Sequence, residues 1–394
     1  MFHQIINHSP DLKRLRDEGY DIEIKSGYLF VKDIPYVDSD KKVARGTLVS
    51  KLTVAGDVAV PPDTHVAYFI GGAPCDACGA PLAQIINSSQ KVKLGETAEI
   101  DHTLSMKPMP DGKYKDYYDK VKKYISMISG YAQAINSDVT AITFPALPVA
   151  DDDKYVFNYI DSASSRAQIG VATRKLEIDS IAIVGVGGTG SYILDLVAKT
   201  PVNEIHIFDG DKFSNHNAFR TPGAPSIDDL RGQPKKVFYL RDIYSKMHRH
   251  IIPHDVFVDA ANVDLLKPMK FVFICLDKGS VKKCIVEKLE EWGIPFIDVG
   301  MGLQLVDGSL TGLLTVTSST SEQREHVKDR MSFSDDNEQN EYSQNIQIAD
   351  LNALNATLAV VKWKKMSGFY KDTENEYFCV YTVNGNTLIN EDKL

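Results

Sequence analysis

IAIVGVGGTGSYILDLVAKTPVNEIHIFDGDKFSNHNAFR, residues 181–220, decides the fold. Its first four residues are apolar and read as a buried strand. A turn follows with glycine at 185, 187, 188 and 190. Residues 191–199 carry apolar side chains at helical spacing, and 204–208 form a second strand that ends on Asp209. This order predicts a nucleotide-binding unit, because glycines let the main chain approach phosphate or ribose and a helix N-terminus favours negative charge. Asp209 lies 19 residues past Gly190, the place of an acid that accepts bonds from ribose hydroxyls in NAD and ATP sites alike. Up to Asp209 the two nucleotides stand level.

Outward from this stretch the chain changes character. Before it, a short helix near 9–18 leads into YDIEI, GYLFV, GTLVSKLTV and THVAYFI, separated by Pro, Gly and Asp, which predicts a strand meander. Residues 115–135 have helical spacing, with Tyr117, Val121, Tyr124, Ile125 and Ile128 on one face. The acidic run 151–153 marks a linker edge. From about 165 strands alternate with helices. Candidate strands are 181–184, 204–208, 255–258, 271–276, 296–299 and 312–316. A polar mobile loop over 318–344, a helix over 346–366 and a last strand, EYFCVYTV, complete the chain. The expected fold is α/β: a Rossmann-like domain with a mostly parallel sheet over 161–394, preceded by an α+β domain over 1–160.

Composition narrows the function classes. The 394 residues are 43% apolar and 25% charged, with a net charge of −9, ordinary for a globular protein. The acidic balance, with a pI near 5.6, argues against general nucleic-acid binding. Five scattered cysteines argue for reduced thiols in a cytoplasm rather than a disulfide framework. No apolar run approaches the roughly 20 residues that span a bilayer, and the N-terminus has no signal-peptide core. No membrane or nucleic-acid partner is expected.

The residues after Asp209 separate the two nucleotides. Asp211, Asn217 and Arg220 follow at once, then Gly232-Gln-Pro-Lys235 at the head of another helix, then Asp277 after the strand at 271–276. Hydride transfer gives these groups no task. In nucleotidyl transfer, charge builds on the α-phosphate oxygens and on the departing pyrophosphate, so placed cations stabilise it. A carboxylate is needed to hold Mg²⁺ against phosphate oxygens.

GVGGTG, DGDKFSNHNAFR, GQPK and CLD, in this order, resemble the adenylation domain of ThiF/MoeB-type and ubiquitin-activating enzymes. The resemblance runs from about 165 to the C-terminus. It implies that Gly185, Gly187, Gly188, Gly190, Asp209 and Asp211 bind ATP with Asn217, that Arg220 and Lys235 act on the phosphates, and that Asp277 holds Mg²⁺. It further implies a homodimer that lends an arginine across the interface, for which Arg166 is the nearest match, and a substrate that is a small ubiquitin-like protein ending in glycine. An added N-terminal domain fits partner recognition in a bacterial ubiquitin-like conjugation system, with a conjugating enzyme as a further partner. Sulfur-carrier activation, an NAD-dependent oxidoreductase and a non-catalytic nucleotide-binding scaffold stay open.

The chain departs from that pattern in two places. Many relatives carry two Cys-x-x-Cys pairs around zinc, whereas the pair here is Cys75/Cys78 in the N-terminal part. Two reduced cysteines in a turn is the preferred reading over zinc. Many relatives also form a thioester on a loop cysteine, and 318–344 contains none. Cys275, Cys284 and Cys379 fall on core elements and read as inert packing. A serine there (Ser318, Ser319, Ser321, Ser332 or Ser334) with His326 as base gives an oxyester, set below a plain solvated loop. Lys236 reads as helix surface, Asp298 as a structural acid, His216 as a lone histidine, and Asp101-His102 with Ser105 as too close in sequence for a triad.

Overall fold

A computed structural model describes residues 2–94, 98–145, 155–167, 169–333 and 346–394. The acidic run at 151–153 and the part of the polar loop from 334 to 344, Ser334 included, lie outside the described residues. The chain divides into two compact units, one of residues 1–151 with 159–168 and one of 152–158 with 169–394.

In the first unit, helices α1 (Phe2–His8) and α2 (Pro10–Asp17) precede a six-stranded antiparallel sheet. Its strands are β1 (Ile22–Lys25), β2 (Tyr28–Val37), β3 (Val43–Lys51), β4 (Val66–Ile70), β5 (Ile86–Ser88) and β6 (His102–Ser105), ordered β1-β2-β3-β4-β6-β5. Helix α3 (Tyr117–Ile135) starts where the Asp116 carboxylate accepts from the Asp119 amide at 2.8 Å. It buries Tyr117, Val121, Tyr124, Ile125 and Ile128, the stripe its spacing predicts. Lys120 is buried on the same helix. Its ammonium donates to Ser50 Oγ at 2.9 Å and to the carbonyls of Thr64 and Val66 at 2.9 and 2.7 Å. Burial pushes its pKa down to about 8.

The second unit is the α/β part. Its strands are β7 (Ser180–Val184), β8 (Glu204–Phe208), β9 (Ile251–His254), β10 (Phe271–Ile274), β11 (Phe296–Val306), β12 (Ser309–Ser319), β13 (Glu376–Thr382) and β14 (Thr387–Lys393). They form one sheet ordered β9-β8-β7-β10-β11-β12-β13-β14. The first five are parallel and the rest antiparallel. Helices α4 (Gly188–Val197), α5 (Lys236–Tyr244), α6 (Gly279–Trp292) and α7 (Ala349–Met366) cover it. Apolar clusters lie on both faces, and β7 is buried along its whole length, as a central parallel strand requires.

Four expectations change. The strand expected at 255–258 lies at Ile251–His254, where it pairs in parallel with β8. Pro253 hid it, since proline fits a strand only at an edge, and β9 is the edge. The strand at 296–299 runs on through Gly300 and Gly302 to Val306 and turns back as β12. Ser318 and Ser319 are buried at the end of β12 rather than in a mobile loop. A closing hairpin partner, β14, follows the expected final strand.

Candidate active site

The site is built at the carboxyl ends of β7, β8 and β10. Gly185 leaves β7 with φ +88°, and a Cβ there would meet the Cys275 carbonyl at 2.5 Å. Gly190 packs on Gly185 so closely that a side chain has no room. Gly188 opens α4 against Asn352 of α7, whose amide atoms stand 2.3 to 2.6 Å from where a Cβ would be. Asn352 is buried. It accepts from Thr189 Oγ1 at 2.9 Å and donates to the Arg220 carbonyl at 3.3 Å, joining the glycine turn to the arginine segment. Gly187 differs, since a Cβ there would meet nothing within 4 Å. The turn is open to an incoming group at that point.

Asp209 ends β8 buried, at 8% exposure, and faces the turn. One carboxylate oxygen accepts from the Val186 amide at 3.1 Å and the other from the Asp211 amide at 2.9 Å. Lys236 completes this clamp. Its ammonium lies 3.5 Å from Asp209 and 2.8 Å from Asp211, with its side chain only 7% exposed. It is no surface lysine. Lys236, Val237 and Leu240 form the inner face of α5, so the helical period places residue 236 inward. That signal was present in the sequence. Lys235 caps α5 and reaches across it, donating to the Gly210 carbonyl at 2.8 Å and pairing with Asp255 at 2.9 Å.

Asn217 and Arg220 sit on a short helix, Asn215–Ala218, and its exit. Asn217 is wholly buried, and its side-chain oxygen accepts from the Ser214 amide at 2.9 Å. Its Nδ2 and the Arg220 Nε are buried donors with no partner among the described residues. Orphaned buried donors are costly, and these two sit on a segment tied through Asn352 to the glycine turn. Asp277 is exposed just past β10, the neighbour of β7. Arg166 ends a short helix, Ser162–Arg166, and its side chain lies outside the described residues. His216 is exposed.

The other candidates resolve differently. Asp298 pairs with Lys282 at 2.8 Å, both buried; burial pushes its carboxyl up, against the pull of Lys282. His326 is buried with Nε2 on the Ser318 carbonyl at 2.9 Å, while Ser318 Oγ donates to the Tyr377 carbonyl at 3.2 Å. His326 and Ser318 are thus engaged by main chain, not with each other as base and nucleophile. Burial pushes the Cys275 thiol up, and that of Cys379 up to about 11, so neither ionises near neutral pH. Cys75 is buried with its thiol on the Ala73 carbonyl at 3.2 Å, and burial pushes its pKa up too; Cys78 is exposed. His102 bonds Ser89 Oγ at 2.9 Å. Among the described residues no group of three His, Cys, Asp or Glu side chains could hold a metal alone. Mg²⁺ asks for less, one carboxylate with phosphate oxygens supplying the rest. No described helix is long and apolar enough to cross a membrane.

Comparison with known proteins adds the family. The model of the ThiF family matches residues 164–384, more than half of the chain. The chain belongs to the ThiF family. A second model, a domain of unknown function (DUF6791), matches residues 10–162. Ubiquitin-like modifier-activating enzyme 5 of Drosophila grimshawi is 23% identical over 159 residues, which cover 38% of this ThiF-family chain and 40% of the relative. That of Drosophila persimilis is 24% identical over 160 residues, covering 38% and 42%. The match thus spans less than half the length of these curated relatives. Among solved structures, PaaA shares 18% identity at a TM-score of 0.44, covering 57% of this chain and 76% of PaaA. MccB of E. coli with ATP shares 16% at 0.42, covering 56% and 65%.

Proposed function

We propose that the chain is an ATP- and Mg²⁺-dependent adenylyltransferase acting on the C-terminal carboxylate of a small ubiquitin-like protein. The observation that carries this reading is the Arg220 segment, which holds two buried donors without partners among the described residues, Asn217 Nδ2 and Arg220 Nε, and is tied through Asn352 to the glycine turn. A triphosphate supplies acceptors for Arg220, and the charge that builds on the α-phosphate and the departing pyrophosphate gives that cation a task in the reaction that hydride transfer lacks. The naming of the fly relatives as activating enzymes for a ubiquitin-like modifier agrees with this substrate class.

Asp209 accepts from the ribose hydroxyls, held in place by the Val186 amide and Lys236. Arg220, Asn217 and Lys235 face the phosphates, Lys235 after release from Asp255. Mg²⁺ on Asp277 neutralises phosphate charge when bound. The substrate carboxylate oxygen bonds to the α-phosphorus, the bond to the β-phosphate bridging oxygen breaks, and pyrophosphate leaves with that electron pair. The product is an acyl-adenylate, a better acyl donor than the free acid. With Cys275 and Cys379 un-ionised, the adenylate passes to another protein rather than to a thioester at those residues. The further parts of the proposal are a homodimer sharing Arg166, a partner-recognition role for 1–160, and a conjugating enzyme downstream.

The test is ATP–pyrophosphate exchange with candidate small proteins and an Arg220→Ala control. Exchange that requires the small protein and disappears in Arg220→Ala supports the reading. ATP binding without exchange leaves a scaffold, and exchange indifferent to Arg220 removes the site assignment.

A further inference from the structure

Asp255 is the first residue past β9, and the strand sets its position. His254, the last residue of β9, pairs with Phe208 of β8 and stacks on its ring at 4.1 Å and 4°. The His254 carbonyl accepts from the Asp209 amide at 3.3 Å. The main chain entering Asp255 is thus tied to the end of β8.

Lys235 comes from another segment. Its main chain is bridged to Lys212. On either side of it, the Phe213 amide donates to the Pro234 carbonyl at 2.7 Å and the Lys236 amide to the Asp211 carbonyl at 3.0 Å. With the backbone held, a swing of Lys235 is a movement of its flexible side chain alone. Two groups hold its ammonium, the Gly210 carbonyl at 2.8 Å and the Asp255 carboxylate at 2.9 Å. Gly210 is covered in turn by the ring of Phe257, an atom of which stands 2.6 Å from where a Cβ would be.

The phosphate donors therefore differ. Asn217 Nδ2 and Arg220 Nε have no partner among the described residues, whereas Lys235 carries an anion of its own. A carboxylate oxygen at that distance from an ammonium occupies the place that a phosphate oxygen would take. Both side chains are about a third exposed, and a pair of that kind is weak enough for a triphosphate to displace.

We propose that Asp255 is a resident counter-anion, which yields Lys235 to the triphosphate and takes it back when pyrophosphate leaves. The inference rests on the adenylation reading and adds to it a positioning residue that acts through Lys235. In the empty site the pair is neutral as a unit, so a small free anion gains little there. A triphosphate prevails because it also engages Arg220 and Asn217. Once the α-phosphorus has been transferred, pyrophosphate is no longer joined to the nucleotide, and Asp255 competes with it for the lysine. The exchange of partners makes and breaks no covalent bond.

The test uses the full chain and a fluorescent ATP analogue with Mg²⁺, displaced by inorganic pyrophosphate and, separately, by adenosine. Asp255→Asn keeps the size of the side chain and removes its charge. It should bind the analogue and pyrophosphate each about three-fold more tightly. Adenosine, which carries no phosphate, should bind wild type and variant alike. In a Lys235→Met background the added Asp255→Asn should change neither affinity. Asp255→Glu, which keeps the charge, should stay close to wild type. A gain that survives in Lys235→Met is a general effect of charge and overturns the proposal. So does an Asp255→Asn chain that binds analogue and pyrophosphate no more tightly than wild type, or one whose adenosine affinity shifts equally. A wild-type chain that binds no analogue overturns the adenylation reading, and this inference with it.

Discussion

Two adjacent lysines have different surroundings and different expected costs of removal. Lys236 is buried between Asp209 and Asp211, and without it Asp209 stays buried beside a second acid. Removing one partner of a buried pair costs about 3 kcal/mol or more, so Lys236→Met should lower the denaturant midpoint and abolish nucleotide binding together. Lys235 and Asp255 are about a third exposed, at 35% and 31%. A pair of that kind contributes about 0–1 kcal/mol, so Lys235→Met should leave stability near wild type while exchange falls. Equal stability losses in urea titrations of the two variants would remove this distinction. The sequence motif pointed to Lys235; only the helical period of α5 pointed to Lys236, and an acidic-site lysine on an inner helix face looks like an error until its partners are known.

At the scale of elements, two contacts with α7 hold the site and the sheet. Its N-terminal turn sets Asn352 against Gly188. Gly188→Ala should cost about 1–3 kcal/mol by overpacking, and Asn352→Ala should relieve it, so a double-mutant cycle should show strong coupling. Independent effects would mean that α7 does not brace the turn. Its last turns carry Lys362 and Lys365 to Asp372 and Glu376 at 2.9 to 3.7 Å. Burial opposes ionisation of Asp372, but the Asn375 amide and both lysines outweigh it and hold the carboxyl down at about 2. The folded value lies below the unfolded one, about 3.9, so the stabilisation is present above pH 4 and is lost as pH falls toward 2. The stability gap between wild type and Asp372→Asn should close over that window, and a gap that stays constant counts against the clamp. The parallel strands, the glycine turn and α3 were legible because burial on both faces or on one stripe leaves a clear pattern. Strand β9 was masked by Pro253, and the length of β11 by Gly300 and Gly302, since main-chain pairing tolerates residues that propensity rejects. Asn352 carries no local signal, because its partners lie 132 and more residues away in sequence.

For the whole molecule, two compact units predict two unfolding events rather than one. ATP with Mg²⁺ at about 100 times its dissociation constant should stabilise the unit of 169–394 by about 2.7 kcal/mol and leave the other unmoved. Calorimetry in which both transitions rise together would show that the units unfold as one. The amine of Lys120 supplies a matching chemical clock for the N-terminal unit. While α3 stays seated on its sheet, three oxygens and the core shield this amine, and the burial that pushes its pKa down to about 8 also keeps reagents away. Acylating reagents should therefore mark it last among the lysines of that unit, at a rate set by how often α3 lifts.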